Sequence, residues 1–381
     1  MTLRTAVAGI ALLLAGCSAG SPGPAEDVTN HSATLTGTVA STESDTDVRY
    51  WFPYGLTTAY DHQTPERTVH LPAEFSSIPV SEPLGGLSKW TTYHYQLCTA
   101  PPRPSCLKAD RAFTTGPAIV FVSDRAAPTS ETGAVWRMDA GGHEPRRLSP
   151  SGVGDVEDVA ASRHGAKIAF STLHEIWVMD ADGSHAHAIV TSPSLVGHPS
   201  WSPDGSRIAF SDHRTGSGDI YLVDADGTDP VRLTSNPDTA EELPSWSPDG
   251  TRIAFSDFNS DTVQSRVLTI GVNGTGLTLL SPAGALDCCP SWSRDGSKIA
   301  FSSSTDIWVM NADGSARVDL TPTTGAEEGS PAFSPDGSRI AFVRRSGANV
   351  DVWVMKANGT GATQLTDQPP QDGSPSWVVA P

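Results

Sequence analysis

From residue 117 onward one pattern recurs, and it limits what the chain can fold into. It reads Trp201-Ser202-Pro203-Asp204-Gly205-Ser206-Arg207-Ile208-Ala209-Phe210. It returns at Trp246–Phe255, Trp292–Phe301 and Phe333–Phe342, with a weaker copy from Ala161 to Phe170. The turn glycine falls at 165, 205, 250, 296 and 337, giving spacings of 40, 45, 46 and 41. A second half, Trp177-Val178-Met179-Asp180-Ala181-Asp182-Gly183, returns at Tyr221–Gly227, Trp308–Gly314 and Trp353–Gly359, with a divergent copy at Leu268–Gly274. Asp-Gly or Asn-Gly between alternating apolar runs marks a β-hairpin, because the tight turn needs positive φ. Two hairpins per repeat make a four-stranded sheet, and a repeated sheet of this length is a propeller blade.

The ends of the array predict how it closes. The first repeat has Ile119-Val120-Phe121 and Trp136-Arg137-Met138-Asp139 but no Trp-Ser-Pro-Asp-Gly strand before them. Pro375-Ser376-Trp377 is that missing strand with nothing after it. The expected fold is all-β, a six-bladed propeller over 117–381 in which the C-terminal segment supplies the innermost strand of the first blade. A closed ring leaves no exposed edge. No gap is large enough to hide a seventh repeat.

Composition agrees. Gly 35 and Pro 30 suit short strands and turns, and disfavour a helical bundle. Lys plus Arg is 25 against 43 Asp plus Glu, a net charge of −18. Nucleic acid is therefore not expected as a partner, because phosphate binding needs a basic footprint.

Residues 1–16 read as an export signal, with Arg4 as the positive region and an apolar run from Ala6 to Ala15 too short to span a bilayer. The run ends in Leu14-Ala15-Gly16-Cys17, which resembles the bacterial lipobox. In that family Cys17 becomes the acylated first residue of the mature protein. The expected location is the cell membrane, lipid-anchored and facing the periplasm or the cell exterior. Residues 17–26 read as the lipidated Cys and a flexible Ser/Gly/Pro tether. Residues 27–116 alternate with period two, as in Ala33–Val39 and Val48–Phe52, and predict a small β-sandwich. Tyr54–Tyr60, Leu84–Leu87 and Thr91–Tyr95 resemble bacterial fibronectin type III-like modules, which act as spacers or adhesive elements. Cys98 and Cys106 flank Pro101–Pro104 between two predicted strands, so export predicts a disulfide between them.

The repeat motifs resemble the TolB-like, WD-like propeller repeats of bacterial envelope proteins, over about 265 residues. The resemblance implies protein–protein binding in the envelope. A lipid anchor and a fibronectin-like module depart from that family's soluble members.

Propellers commonly bind ligands at the mouth of the channel, beside the starts of the innermost strands. Glu157, Asp158, Glu241, Glu242, Asp287, Glu327, Glu328 and Asp372 precede those strands, with His198 in the one connection that lacks acid. If converging, they form an electronegative ring that focuses field on a basic partner segment. No cofactor is required, although carboxylates and carbonyls in the channel could take Ca²⁺. Asp180-Ala181-Asp182-Gly183 lacks the further ligands of an EF-hand and reads as a hairpin. Cys288-Cys289 sits beside the ring as a vicinal disulfide, a thiolate metal pair or two thiols. His185 and His187, on one predicted strand, face one side, most simply as an exposed outer pair. Trp136, Trp177, Trp308 and Trp353 share one repeat position and read as blade packing.

No Gly-x-Ser-x-Gly elbow, phosphate loop or His-Glu-x-x-His is present. After the closing strand at 381 no room is expected for a peptidase domain. The favoured reading is a monomeric, tethered, non-catalytic binder of an envelope protein or peptide, with the sandwich as spacer. A metal-assisted lyase or hydrolase acting on polysaccharide and a glycan-binding adhesin are the alternatives.

Overall fold

The computed structural model describes residues 18–41, 45–72, 77–100, 105–106, 109–125, 133–322, 326–367 and 371–379. The proposed lipobox, including Cys17, lies outside the described residues. Among the described residues no helix is long and apolar enough to cross a membrane. The chain divides into two compact units, Met1–Gly116 and Pro117–Pro381.

The first unit holds three small antiparallel sheets around one core. Leu35, Phe52, Tyr95, Leu97 and Phe113 are fully buried in it. The expected tether is corrected here. Ser18–Glu26 is an edge strand paired antiparallel with Ala33–Ser41. Its Pro and Gly content, which reads as linker, suits an edge. The ladder breaks register between Pro22 and Ala25. A Cβ at Gly20 would lie 2.8 Å from Leu97 Cγ, so only glycine lets the strand approach so closely. Tyr95 Oη and Arg111 Nε donate to the carbonyls of Gly23 and Pro22 at 2.6 and 2.8 Å. Cys98 and Cys106 lie opposite one another on neighbouring strands and are disulfide-bonded, with Cα atoms 4.2 Å apart.

The second unit is a propeller of six four-stranded antiparallel sheets. Blades 2 to 6 begin with the innermost strands Asp158–Ala161, Val196–Trp201, Ala240–Trp246, Asp287–Trp292 and Glu327–Phe333. Blade 1 takes its innermost strand from Asp372–Val378, which pairs antiparallel with Ala118–Ser123 and closes the ring.

The repeat explains itself locally. At the first hairpin of blade 3, Gly205 has φ 74° and its N–H donates to Ser202 O. Ser202 Oγ, then Ser206 N–H and Oγ, donate to Asp204 and hold its carboxyl down at about 2. Ser202 Oγ in turn accepts the Arg207 N–H at 2.9 Å. The Ser-x-Asp-Gly string is therefore a self-satisfied turn. Ile208, Ala209 and Phe210 are all fully buried, because a blade is covered on both faces. Ala209 packs among Ile253 and Phe255 of the next blade, as Ala254 does against Ile299 and Phe301. A small residue between two large ones lets adjacent sheets interdigitate.

Candidate functional site

Proline governs the inner strands. It has no N–H for the ladder. The ladders slip between Gly197 and Ser200, Glu242 and Ser245, Cys288 and Ser291, and Gly329 and Ala332. At each slip the residue before proline takes a left-handed φ: His198 55°, Leu243 56°, Cys289 59°, Ser330 50° and, in blade 1, Ser374 46°. These five residues and Asp158 of blade 2 line one cavity of about 130 Å³, one from each blade. Asp158 and His198 are brought together there. Asp158 Oδ1 accepts Ser374 Oγ at 2.6 Å, and Oδ2 lies 3.4 Å from His198 Nε2. Both groups address the same carboxylate. The serine has no imidazole base, so this is not the order of a nucleophilic triad.

The expected open acidic ring is not assembled. Glu241, Asp287, Glu328 and Asp372 do share one register position, but they are only 4, 0, 4 and 0% exposed. Three of them are held by arginines of their own blades. Arg317 Nη2 donates to Asp287 at 2.9 Å, Arg344 Nε to Glu328 at 2.8 Å, and Arg125 Nη2 to Asp372 at 2.6 Å. Each guanidinium also lies over a ring of its blade, 4.5 Å from Phe301, 4.1 Å from Trp353 and 5.1 Å from Phe121. These acids are internal counter-ions. Glu241 differs. Among the described residues no arginine hydrogen-bonds to it, Asp219 and Asp257 stand nearby, and burial pushes its carboxyl up to about 7.

The remaining acids sit nearer solvent. Glu242 pairs with His213 at 3.0 Å, Glu327 lies 3.5 Å from Arg345, and Glu157 is exposed. Cys288 and Cys289 are two free thiols with Sγ atoms 2.9 Å apart, rather than a vicinal disulfide. Cys289 is turned inward at the ladder slip and its N–H donates to Ser256 Oγ of blade 4. Among the described residues no group of three or more His, Cys, Asp or Glu is placed to hold a metal ion. His185 lies outside the outer strand, at φ 54°, with Nδ1 2.6 Å from Asp180, so the two-histidine face is not formed.

Sequence reasoning missed Leu243, Ser330 and Ser374, although each directly precedes a proline of the repeat. It also missed the opposite end of the channel. There Trp201, Trp246, Trp292, Phe333 and Trp377 wall a cavity of about 230 Å³, rimmed by Arg163 and Arg294.

Residues 164–328 and 289–380 match the family described as TolB beta propeller domain. Among curated proteins, Tricorn protease homolog 1 of Streptomyces coelicolor is 31% identical over 71 residues, 19% of this chain and 7% of that protein. The Tol-Pal system protein TolB of Syntrophus aciditrophicus is 38% identical over 66 residues, 17% of this chain and 15% of that protein. The matched stretches thus span far less than two thirds of either relative. Among solved structures, TolB from Acinetobacter baumannii aligns with a TM-score of 0.59 at 20% identity, over 75% of this chain and 79% of that one.

Proposed function

Because the chain belongs to the TolB β-propeller domain family, we propose that it is an envelope protein whose channel binds a protein or peptide partner. One observation carries the reading. A repeated framework presents a different set of side chains at one ring: Asp158, His198, Leu243, Cys289, Ser330 and Ser374. Five of them hold a backbone conformation that costs energy in non-glycine residues, as His198 does at 55°. Strain of this kind, kept in five blades at one depth, is consistent with a recognition surface. The ring offers an Asp–His pair, an apolar group, a thiol and hydroxyls, which suits reading a peptide. In this reading Cys17 is the acylated anchor, the protein is monomeric, and residues 27–116 are a fibronectin-like spacer.

The test is affinity capture from envelope extract with the full chain in detergent. A partner retained by the wild type and lost with Asp158→Asn or His198→Ala is the expected result. Equal capture by all forms would sink the proposal. So would turnover of envelope polysaccharide or peptide that Glu242→Gln or His198→Ala abolishes.

A further inference from the structure

We propose that the Arg163/Arg294 end of the channel is a second, separate binding site, which takes the carboxylate side chains of an acidic peptide segment. Its peptide character rests on the binding role proposed above. Its location and charge do not.

The sequence already marks the two arginines. The turn after each innermost strand reads Ser-Pro-Asp-Gly at Pro203, Pro248 and Pro335, but Arg163 and Arg294 stand at the proline position in blades 2 and 5. In the structure that position faces the cavity. Among the described residues no Asp or Glu lines it, in a chain that carries 43 of them. Arg294 is exposed and has no hydrogen-bond or ion-pair partner among the described residues. The acid beside it in sequence, Asp295, is tied into its own turn by Ser293 Oγ and by Ser297 N–H and Oγ. Arg163 reaches across the mouth to blade 4, where Nη1 donates to Pro248 O at 2.6 Å. A carbonyl leaves the guanidinium charge unneutralised. Burial, then the like charge of Arg294, holds the Arg163 pKa below its ordinary value. By contrast, Arg317 and Arg344 are each spent on a buried acid of their own blade.

Two uncompensated guanidiniums over a partly desolvated recess focus positive potential there. The fork of a guanidinium matches a carboxylate. Size narrows the ligand, because about 230 Å³ accepts a side chain rather than a folded domain. The walls narrow it again. Of the five aromatic walls, Trp201, Trp246 and Trp377 are only 7, 9 and 6% exposed and offer no open face for stacking a sugar ring, which leaves the half-buried Trp292 and Phe333. An acidic side chain on an extended peptide fits better than a uronate.

The test is calorimetric titration of the full chain in detergent with triglutamate, triglutamine, trigalacturonate and inorganic phosphate. Triglutamate should bind and triglutamine should not. Arg294→Gln should weaken triglutamate about tenfold, and Arg163→Gln with Arg294→Gln by more. Arg294 is exposed and makes no hydrogen bond or ion pair among the described residues, so that variant will fold even if Arg163→Gln does not. Asp158→Asn should leave triglutamate binding unchanged. Absence of triglutamate binding, binding indifferent to Arg294→Gln, or tighter binding of trigalacturonate or phosphate would each overturn the proposal. Arginine-dependent triglutamate binding alongside partner capture indifferent to Asp158→Asn and His198→Ala would retire the ring reading and leave this one standing.

Discussion

The two ends of the channel solve the same electrostatic problem in opposite ways. At one end the innermost strands carry Glu241, Asp287, Glu328 and Asp372, and the fold supplies arginines to three of them. At the other end the repeat carries Arg163 and Arg294, and among the described residues no acid lines the cavity they share. Net charge therefore says little about where the field lies. In a chain of −18, the acids at one channel end are largely cancelled, while the arginines at the other stay available. A charge that is paired inside its own blade is structure. A charge left unpaired at a mouth is a candidate for recognition.

The largest expected effect separates those two roles. Arg317→Ala leaves Asp287, which is fully buried, without a counter-ion. Urea unfolding of the propeller should show a loss of about 3–5 kcal/mol. Arg294→Ala removes an exposed side chain with no hydrogen-bond or ion-pair partner among the described residues and should cost less than about 0.5 kcal/mol. The double change Arg317→Met with Asp287→Leu should recover most of the first loss, since an apolar pair of similar volume is often no worse than a buried ion pair. Equal losses for Arg317→Ala and Arg294→Ala would erase the distinction between the ends.

Glu241 tests the exception within the acid end. Its carboxyl is raised from 4.5 to about 7 in the folded state, chiefly by burial. The folded protein then binds a proton more tightly than the unfolded chain. Stability should fall as pH rises from 4.5 to 7, and the full penalty should remain above 7. The shift corresponds to about 3 kcal/mol. Glu241→Gln mimics the protonated acid, so it should stabilise the propeller at pH 8 and lose that advantage by pH 5. Thermal melts at the two values measure it. Parallel melting shifts at both would show that Glu241 is not the titrating group.

Much of the fold was legible because its signals are local. Asp204-Gly205 and Asp226-Gly227 specify their turns within a few residues, and both glycines take positive φ. Ile208-Ala209-Phe210 carries its burial in its own composition. The state of the acids was not legible. Their arginines come from 30, 16 and 247 residues away, at three different places in the repeat, so no periodic signal announces them. Ser18–Glu26 misled for a related reason, since Gly20 and Pro22 are linker residues by composition and edge-strand residues by contact with Leu97 and Arg111. Arg163 and Arg294 were visible as departures from Ser-Pro-Asp-Gly. Their meaning needed the cavity, because a motif read for its turn does not say which way its second residue faces.

The smallest effect asks which parts of the arginine end are framework. Ser376 Oγ accepts the Ala161 N–H at 3.0 Å, Ser200 Oγ the Trp246 N–H at 3.3 Å, and Ser291 Oγ the Phe333 N–H at 3.3 Å. Each bond stitches one blade to the next and steadies the residue that walls the cavity. Ser376→Ala removes an acceptor from a half-buried backbone donor and should cost about 1 kcal/mol in urea unfolding. It should leave the triglutamate affinity unchanged, because the hydroxyl serves the neighbouring blade. Ala160 and Ala332 already stand where these serines stand, which shows that the ring tolerates the loss at two blades. A weakened affinity at unchanged stability would move Ser376 from the framework to the binding surface. The arginine end would then recognise its ligand through hydroxyls as well as guanidiniums.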